Sequence, residues 1–278
     1  MNFARPIIQL LLASYLAAIA PGAVLAQTPG EPYVPLSGQA GKDVVWVPSA
    51  AVMVEKMLDI AKVTPGDYVI DLGSGDGRNV IAAAKRGARA LGVEYNNDLV
   101  EYSRRAAEKE GVADKALFVQ GDMYAADISR ATVMALFLLS DNLVRLTPKL
   151  QGLKPGTRVV ANTFGIEGWS AEETHKVEGD CEYWCVVLLY IVPARVAGTW
   201  RLAQGEIKLE QKFQTLSGTL SSGGASTPIT NGRLRGDEIR FSAGGADYAG
   251  RVNGDTMQGD VKGATTGTWT STRMLAAP

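Results

Sequence analysis

The first 196 residues alternate between short apolar runs and segments whose apolar residues have helical spacing. Runs typical of strands lie at 68–70, 90–94, 116–119, 132–139, 157–163 and 186–192, and helices are predicted over 48–62, 78–86, 98–110 and 141–150. The first of these helices is expected to take Ser49 as its N-cap. Strands that alternate with helices predict a parallel sheet with helices on both faces, a doubly wound α/β fold.

The pattern changes in kind beyond about residue 197. Residues 198–278 contain 14 of the 31 glycines and break into short segments in which apolar and polar residues alternate. The sequence at 232–239 resembles that at 250–257, each with Gly-Arg at its start and Gly-Asp in its second half. A strand, a Gly-Asp turn and a second strand indicate a hairpin. Residues 197–278 are therefore predicted to form a small antiparallel all-β domain, a meander or small barrel of about six strands.

Residues 1–26 have the pattern of a targeting segment. Arg5 precedes an apolar stretch at 7–20, Pro21-Gly22 interrupts it, and residues 24–26 offer the small side chains of a cleavage site. The apolar stretch is short for a membrane span. We expect a cleaved signal peptide and an exported, periplasmic protein; an uncleaved leader would anchor the protein to the membrane. After cleavage the sequence predicts no membrane span.

Residues 27–44 are rich in Pro, Gly, Ser and Gln, which predicts an extended arm. Two alternatives stand for this arm: it packs on the surface, or Tyr33, Pro35 and Trp46 lie across the mouth of a pocket. The predicted organisation is thus a leader at 1–26, the arm at 27–44, the α/β domain at 45–196 and the β domain at 197–278.

Composition limits the chemistry that this chain can perform. Its 28 Lys and Arg against 29 Asp and Glu give a net charge of −1, so no basic surface for nucleic acid is expected. The single histidine, His175, and the two cysteines make a histidine triad or a Cys/His metal site improbable. His175 is expected on the surface.

The two cysteines, Cys181 and Cys185, leave two alternatives. On a straight strand their Cα atoms would lie about 13 Å apart, too far to bond, whereas a turn would bring them within about 6 Å. Both the free and the bonded form stay open.

The segment 71–77, Asp-Leu-Gly-Ser-Gly-Asp-Gly, follows the first strand and precedes a helix. Its three glycines allow positive φ angles and let a ligand approach the backbone closely. A dinucleotide-binding loop has the spacing G-x-G-x-x-G, whereas here the third glycine comes one residue earlier. Asp71 and Asp76 would also repel a pyrophosphate. A nicotinamide dehydrogenase is therefore the weaker alternative.

Two further acids are predicted at the same edge of the sheet. Glu94 ends the second strand and Asp122 follows the third. The carboxyl ends of parallel strands form the ligand-binding edge of such sheets. Carboxylates gathered there suit a cationic ligand, and S-adenosylmethionine carries both an ammonium and a sulfonium.

With this loop, Glu94 and Asp122, residues 45–169 resemble the class I S-adenosylmethionine-dependent methyltransferases, whose first motif is D-x-G-x-G-x-G. Segments 47–49, 132–139, 146–150 and 154–160 are similar to a compact family that includes protein-lysine N-methyltransferases. The resemblance implies a Rossmann-like methyltransferase sheet, with S-adenosyl-L-methionine as cofactor, followed by the β domain.

The resemblance also implies roles for individual residues. Asp71 and the backbone of Gly73 and Gly75 would hold the methionine moiety, and Glu94 would accept hydrogen bonds from the ribose hydroxyls. Asp122 would accept from the adenine amino group, with Met123 against the ring. The implied cofactor-binding set is Asp71, Gly73, Ser74, Gly75, Gly77, Glu94, Tyr95, Asp122 and Met123.

The expected activity is methyl transfer to an acceptor amine, either a protein lysine or a small molecule. Catalysis then consists mainly of holding the acceptor in line with the methyl group. Asp141 is the candidate for steering an ammonium or removing its proton, and Asn142 and Tyr33 are weaker candidates. The alternative is an exported, non-catalytic protein of the same fold that binds S-adenosylmethionine or another metabolite, or that acts as an envelope scaffold.

Overall fold

A computed structural model describes residues 33–274. The predicted signal peptide and the first part of the predicted arm lie outside the described residues. Within the described range, no helix combines the length and the apolar character needed to cross a membrane.

The first part of the described chain contains four helices and seven strands. In chain order they are α1 (Ala51–Ile60), β1 (Tyr68–Leu72), α2 (Arg78–Lys85), β2 (Arg89–Glu94), α3 (Asn97–Lys109), β3 (Ala116–Gln120), β4 (Val133–Leu136), α4 (Ser140–Gln151), β5 (Arg158–Asn162), β6 (Glu173–Lys176) and β7 (Val186–Ile191). The strands form one sheet in the order β3-β2-β1-β4-β5-β7-β6. Strands β1 to β5 run parallel, and β7 and β6 complete the sheet in antiparallel fashion. The predicted doubly wound α/β fold is confirmed.

Helices cover both faces of this sheet because its central strands are apolar on both sides. Val69 of β1 packs in one core cluster with Met53 of α1 and Val80 of α2. The next residue, Ile70, points to the opposite face and packs in a second cluster with Leu143 of α4. All four residues of β4 are buried, as expected for a strand at the centre of such a sheet.

One local expectation was wrong, and one strand was not predicted. Helix α1 begins at Ala51 with Ala50 as its N-cap, while the Oγ of Ser49 accepts a hydrogen bond from Asn162 Nδ2 at 3.2 Å. Ser49 thus joins the chain to β5 and does not cap α1. Strand β6 was not predicted because its sequence, Glu-Thr-His-Lys, has no apolar residue to mark it. His175 lies on this edge strand, with Nε2 3.0 Å from Glu173 Oε2 and its side chain 37% exposed.

The second part of the described chain is entirely antiparallel. Its strands are β8 (Gly198–Leu202), β9 (Gly205–Lys212), β10 (Thr215–Ser222), β11 (Ala225–Pro228), β12 (Thr230–Arg235), β13 (Glu238–Ala243), β14 (Ala246–Asn253), β15 (Thr256–Gly263) and β16 (Gly267–Arg273). They form one sheet in the order β11-β10-β12-β13-β14-β15-β16-β8-β9, and β9 also pairs with β10, so the sheet closes into a barrel.

Within the residues described, the barrel has nine strands where about six were predicted. Short strands such as β11 contain only small and polar residues, so hydrophobic alternation does not mark them. The two repeated segments are hairpins, as predicted. Gly236 and Gly254, with φ angles of 63° and 57°, lie in the turns that join β12 to β13 and β14 to β15.

The barrel packs against the seven-stranded sheet through aromatic and polar contacts. The ring of Phe213 stacks on Trp169 with centroids 5.3 Å apart. Gln214 Nε2 donates to the carbonyl oxygen of Ser170 at 2.7 Å, and Arg233 pairs with Glu172 at 2.8 Å. These contacts fix the barrel beside the segment that connects β5 and β6.

The glycine at position 77 provides a test of the packing beneath the 71–77 loop. Gly77 has a φ of 80°, and an added Cβ would lie 2.6 Å from Phe118 Cε1 and 2.9 Å from Ser103 Cβ. We expect Gly77→Ala to lower the free energy of unfolding by about 2–4 kcal/mol, the sum of backbone strain and overpacking. Gly111→Ala is the matched control, because Gly111 has a φ of 71° and open space around it. Urea unfolding should show a loss of about 1 kcal/mol for the control, and equal losses for the two variants would contradict the packing argument.

Candidate active site

The 71–77 loop adopts the conformation that its glycines predict. Gly73, Gly75 and Gly77 have φ angles of 71°, 55° and 80°, in the left-handed region. The N–H of Gly73 donates to the carbonyl oxygen of Val93 at 2.8 Å. The loop therefore lies against the end of β2 and leads directly into α2.

Glu94 fixes this loop from the end of β2. Its Oε2 accepts a hydrogen bond from Gly75 N at 2.9 Å, and its Oε1 accepts one from Asn96 N at 2.9 Å. Asn96 in turn caps α3, since its Oδ1 accepts from Asp98 N at 2.9 Å. A carboxylate has about four acceptor positions, so Glu94 retains capacity for donors from a ligand.

A cleft runs along the carboxyl edge of the parallel strands. On the side of β1, β2 and β3 it is lined by Gly73, Val93, Glu94, Tyr95, Asn96, Leu99, Gly121, Asp122 and Met123. On the side of β4 and β5 it is lined by Phe137, Leu138, Leu139, Phe164 and Trp184, and residues 40–47 form a third wall. Among the members of the implied cofactor-binding set, Gly73, Glu94, Tyr95, Asp122 and Met123 thus lie together in the wall of one cleft.

The other members of that set lie behind the wall. Asp71 is 3% exposed, and its Oδ2 accepts a hydrogen bond from Asn79 Nδ2 at 3.0 Å. Ser74 is also buried, and Gly75 is covered by Trp46, whose Nε1 lies 2.2 Å from where a Cβ on Gly75 would stand. These residues shape the loop from within, and Asp71 lies outside the lining of the cleft.

Burial raises the pKa of the Asp71 carboxyl to about 8, a change that the Asn79 hydrogen bond opposes. The nearby carboxylates of Glu94 and Asp76 raise this pKa further. A cationic group bound in the cleft would favour the ionised form. The loop is therefore built around an acid whose protonated form predominates at pH 7.

Asp122 already has a cationic partner from the same chain. Lys42 Nζ lies 2.5 Å from Asp122 Oδ2, and Asp122 Oδ1 accepts from Tyr124 N at 2.8 Å. The Lys42 ammonium holds the pKa of Asp122 below its usual range. The same ammonium lies 4.8 Å from the centroid of the Tyr95 ring. Lys42 thus occupies the acceptor that the resemblance assigns to an adenine amino group.

The position of residues 40–47 favours the second alternative for the arm, in which it lies across a pocket. Trp46, which sequence analysis suggested, covers the glycine loop, whereas Lys42 was missed. A lysine in a polar segment carries no signal in a single sequence, because its partner Asp122 lies 80 residues away.

The catalytic candidates Asp141 and Asn142 lie apart from the cleft lining. Asp141 is exposed in the first turn of α4, two residues after the cleft-lining Leu139. Asn142 is buried and donates from Nδ2 to the hydroxyl of Tyr124 at 2.8 Å. Asn142 is therefore engaged in a buried hydrogen bond, while Asp141 faces solvent near the β4 side of the cleft. The role of Tyr33 stays a prediction.

Cys181 and Cys185 form a disulfide with their Cα atoms 5.8 Å apart. The chain turns between them, which resolves the two alternatives in favour of the bonded form. Trp184 lies inside this turn with a φ of 57° and contributes to the cleft wall. The sequence alone does not mark Trp184 as a cleft residue, because a tryptophan beside a strand is equally typical of a core position.

The cleft suits S-adenosylmethionine by the chemistry of its lining. The bare backbone of Gly73 and the apolar side chains of Leu99 and Met123 would accommodate a flat ring and its sugar. Glu94 and Asp122 supply acceptors for hydroxyl and amino donors. Among the described residues of the lining, three acids, Asp43 included, stand against one base, Lys42, which favours a cationic ligand.

Comparisons with known proteins agree with this geometry. Residues 71–173 match the family model of the ANTKMT methyltransferase domain. A protein-lysine N-methyltransferase of Saccharolobus islandicus is 44% identical over 153 residues, which are 54% of this chain and 94% of the relative. The adenine nucleotide translocase lysine N-methyltransferase of mouse is 36% identical over 59% of this chain and 69% of the relative.

A solved structure shows the same likeness. The RNA methyltransferase of Salinibacter ruber, in complex with S-adenosyl-L-homocysteine, is 42% identical with a TM-score of 0.51, and the match covers 54% of this chain and 96% of that one. The chain therefore belongs to the class I S-adenosylmethionine-dependent methyltransferases, in the compact family that includes protein-lysine N-methyltransferases. It is an enzyme that uses S-adenosylmethionine. The non-catalytic alternative has no support from the comparisons.

The ionisation of Asp71 leads to a prediction about stability. Its pKa of about 8 in the folded protein lies above the ordinary value of 3.8. Between these two values the folded protein binds more protons than the unfolded chain, so this group makes stability fall as the pH rises. We expect Asp71→Asn, which carries no titrating group, to gain stability relative to wild type by on the order of 1 kcal/mol per pH unit in this window. Urea unfolding of both proteins at several pH values measures this difference, and a difference independent of pH would contradict it.

Glu94 leads to a prediction about affinity. Glu94→Ala removes the acceptor of Gly75 N and Asn96 N together with the remaining acceptor positions in the cleft. Because each charge-assisted bond contributes about 1.5–3 kcal/mol, we expect calorimetric titration to show at least about tenfold weaker binding of S-adenosylmethionine. Glu101→Ala is the matched control, since Glu101 pairs with Arg104 on the exposed side of α3. Wild-type affinity in the Glu94 variant would refute its assignment to the cofactor site.

Proposed function

We propose that this methyltransferase acts on the side-chain amine of lysine residues in a protein. The observation that carries the proposal is the likeness to the Saccharolobus islandicus protein-lysine N-methyltransferase, which extends over 94% of that relative. The chain spans about half the length of several other lysine N-methyltransferases that it matches, for example 54% of a human one. The likeness to these relatives therefore does not identify the protein on which this methyltransferase acts.

The lining of the cleft supports an amine acceptor. S-adenosylmethionine, when bound, supplies a methyl group on a positively charged sulfur, which a neutral amine attacks. The side chains facing the β4 and β5 half are aromatic and aliphatic, namely Phe137, Leu138, Leu139, Phe164 and Trp184. Apolar surroundings disfavour an ammonium and so lower the pKa of an entering lysine, which favours the nucleophilic form.

Acidic residues near the cleft would guide the acceptor. Asp141 is exposed in the first turn of α4, close in sequence to the cleft-lining Leu139. We assign to Asp141 the attraction of the lysine ammonium towards the cleft and acceptance of its proton. The carboxylate of Glu94 and the loop at 71–77 hold the cofactor half in place, so the acceptor half can differ without loss of cofactor binding.

The experiment is incubation of the protein with labelled S-adenosylmethionine and a cell-envelope extract, followed by mass spectrometry of the labelled molecules. We expect label on lysine side chains of a protein, and loss of labelling when the extract's amines are first blocked by acetylation. Label that is removed by ribonuclease would overturn the proposal in favour of an RNA acceptor. The Glu94→Ala variant serves as the control for transfer that depends on this cleft.

We also propose that the protein works outside the cytosol, in the periplasm. The leader pattern at residues 1–26 supports this, and so does the disulfide between Cys181 and Cys185, a bond that persists in oxidising compartments. Cell fractionation with amino-terminal sequencing tests the proposal. A mature protein that begins near Gln27 in the periplasmic fraction is expected, and a protein that retains Met1 in the cytosol would contradict it.

A further inference from the structure

The sheet divides the cleft into two halves with different chemistry. Glu94 ends β2 and Asp122 follows β3, both on one side of β1. Phe137 directly follows β4, and Phe164 follows β5, on the other side of β1. Since the acids suit the cofactor, the aromatic half is left for the acceptor.

Three aromatic side chains form the wall of this second half. The rings of Phe137 and Phe164 stack with centroids 6.2 Å apart and an interplanar angle of 16°. The ring of Trp184 is tilted against Phe137 at 5.9 Å. Aromatic faces pack well on a methylene chain. A lysine side chain presents four methylenes between its backbone and its amine.

Trp184 differs from the two phenylalanines in how it is held. It lies in the turn closed by the Cys181–Cys185 disulfide and has a φ of 57°, which is unusual for a bulky residue. Hydrogen bonds secure both ends of the turn, from Val177 N to the carbonyl oxygen of Cys185 at 2.8 Å and from Cys181 N to that of Gly179 at 2.8 Å. A backbone conformation of this kind persists only where surrounding contacts impose it.

This turn also lies beyond the part of the chain that matches the family model. The match ends at residue 173, whereas the turn spans 181–185. The cofactor half belongs to the matched region, and the residue that completes the acceptor half does not. Acceptor choice in this protein can thus depend on a segment outside residues 71–173.

We propose that Trp184, held at the cleft by the Cys181–Cys185 disulfide, is a specificity-determining residue that forms the acceptor wall opposite the cofactor half. The inference rests on the proposed lysine acceptor. Trp184 with Phe137 and Phe164 contacts the methylene chain of the entering lysine, and the disulfide keeps the indole in position. Removing either the indole or the disulfide weakens acceptor binding and leaves the cofactor half intact.

The test uses the full-length protein and Nα-acetyl-L-lysine methylamide as the probe. Binding of the probe is measured by NMR titration in the presence of S-adenosyl-L-homocysteine, so that no turnover is needed. We expect Trp184→Ala to weaken probe binding about tenfold, with unchanged affinity for S-adenosyl-L-homocysteine. In steady-state transfer the same variant should raise the KM for the probe more than it lowers kcat. Trp184→Phe should restore part of the affinity.

Two further variants separate the indole from its support. Glu182→Ala is the matched control, because Glu182 is exposed on the same turn and is absent from the cleft lining. It should bind the probe like wild type. The double variant Cys181→Ser, Cys185→Ser should weaken probe binding in the same direction as Trp184→Ala. Retained affinity for S-adenosyl-L-homocysteine shows that each variant is folded.

Three results would overturn the inference. The first is wild-type probe affinity in Trp184→Ala, and the second is an equal loss of affinity for S-adenosyl-L-homocysteine, which would place the indole in the cofactor half. The third is failure of the wild-type protein to bind the probe while it labels protein lysines in the envelope extract. In that third case the proposed function stands and the assignment of the aromatic half fails, so the two failures are distinguishable.

Discussion

The carboxylate of Glu94 joins the three segments on which the cleft is built. Through Gly75 N it holds the loop that follows β1, through Asn96 N it holds the start of α3, and it is itself the last residue of β2. Charge-assisted bonds from a half-buried carboxylate to backbone N–H groups are among the stronger hydrogen bonds in proteins. Together with the hydrogen bond from Gly73 N to the carbonyl oxygen of Val93, they fix the loop relative to the acids at the edge of the sheet. Glu94 is the one side chain that connects all three segments of the cofactor half.

Much of the fold follows from local sequence, since hydrophobic periodicity marks buried strands and amphipathic helices. Hydrophobic periodicity does not reveal strands that lack large apolar residues, such as β6 and β11. Each of these strands joins its sheet through hydrogen bonds to a neighbouring strand, which periodicity does not show. The D-x-G-x-G-x-G loop likewise predicts positive φ angles at Gly73, Gly75 and Gly77, which the structure has.

The site was predicted less completely than the fold. The motif predicts that Glu94 and Asp122 belong to the cleft. It does not show that Asp71 lies outside the lining and accepts a hydrogen bond from Asn79. Lys42 and Trp184 were not predicted as cleft residues, for a different reason. Lys42 reaches the cleft through a contact with Asp122, which is distant in sequence. Trp184 reaches it because the Cys181–Cys185 disulfide closes a turn, and the spacing of the two cysteines does not determine whether they bond.

The cofactor half of the cleft and the segments that cover it come from different parts of the chain. The cofactor half, from the glycine loop to Met123, lies within the region of the family match. Residues 40–47 and the turn at 181–185 cover that cleft from outside this region, and the barrel packs beside the segment between β5 and β6. One fold can serve different acceptors when the cofactor site is shared and the segments around the acceptor half differ.

The most direct measurement is a crystal structure of the protein in complex with S-adenosyl-L-homocysteine. We expect the ribose hydroxyls on Glu94, the adenine amino group on Asp122 in place of the Lys42 ammonium, and the sulfur facing Phe137 and Trp184. A ligand bound elsewhere, or one whose sulfur faces away from the aromatic half, would contradict the division of the cleft into cofactor and acceptor halves.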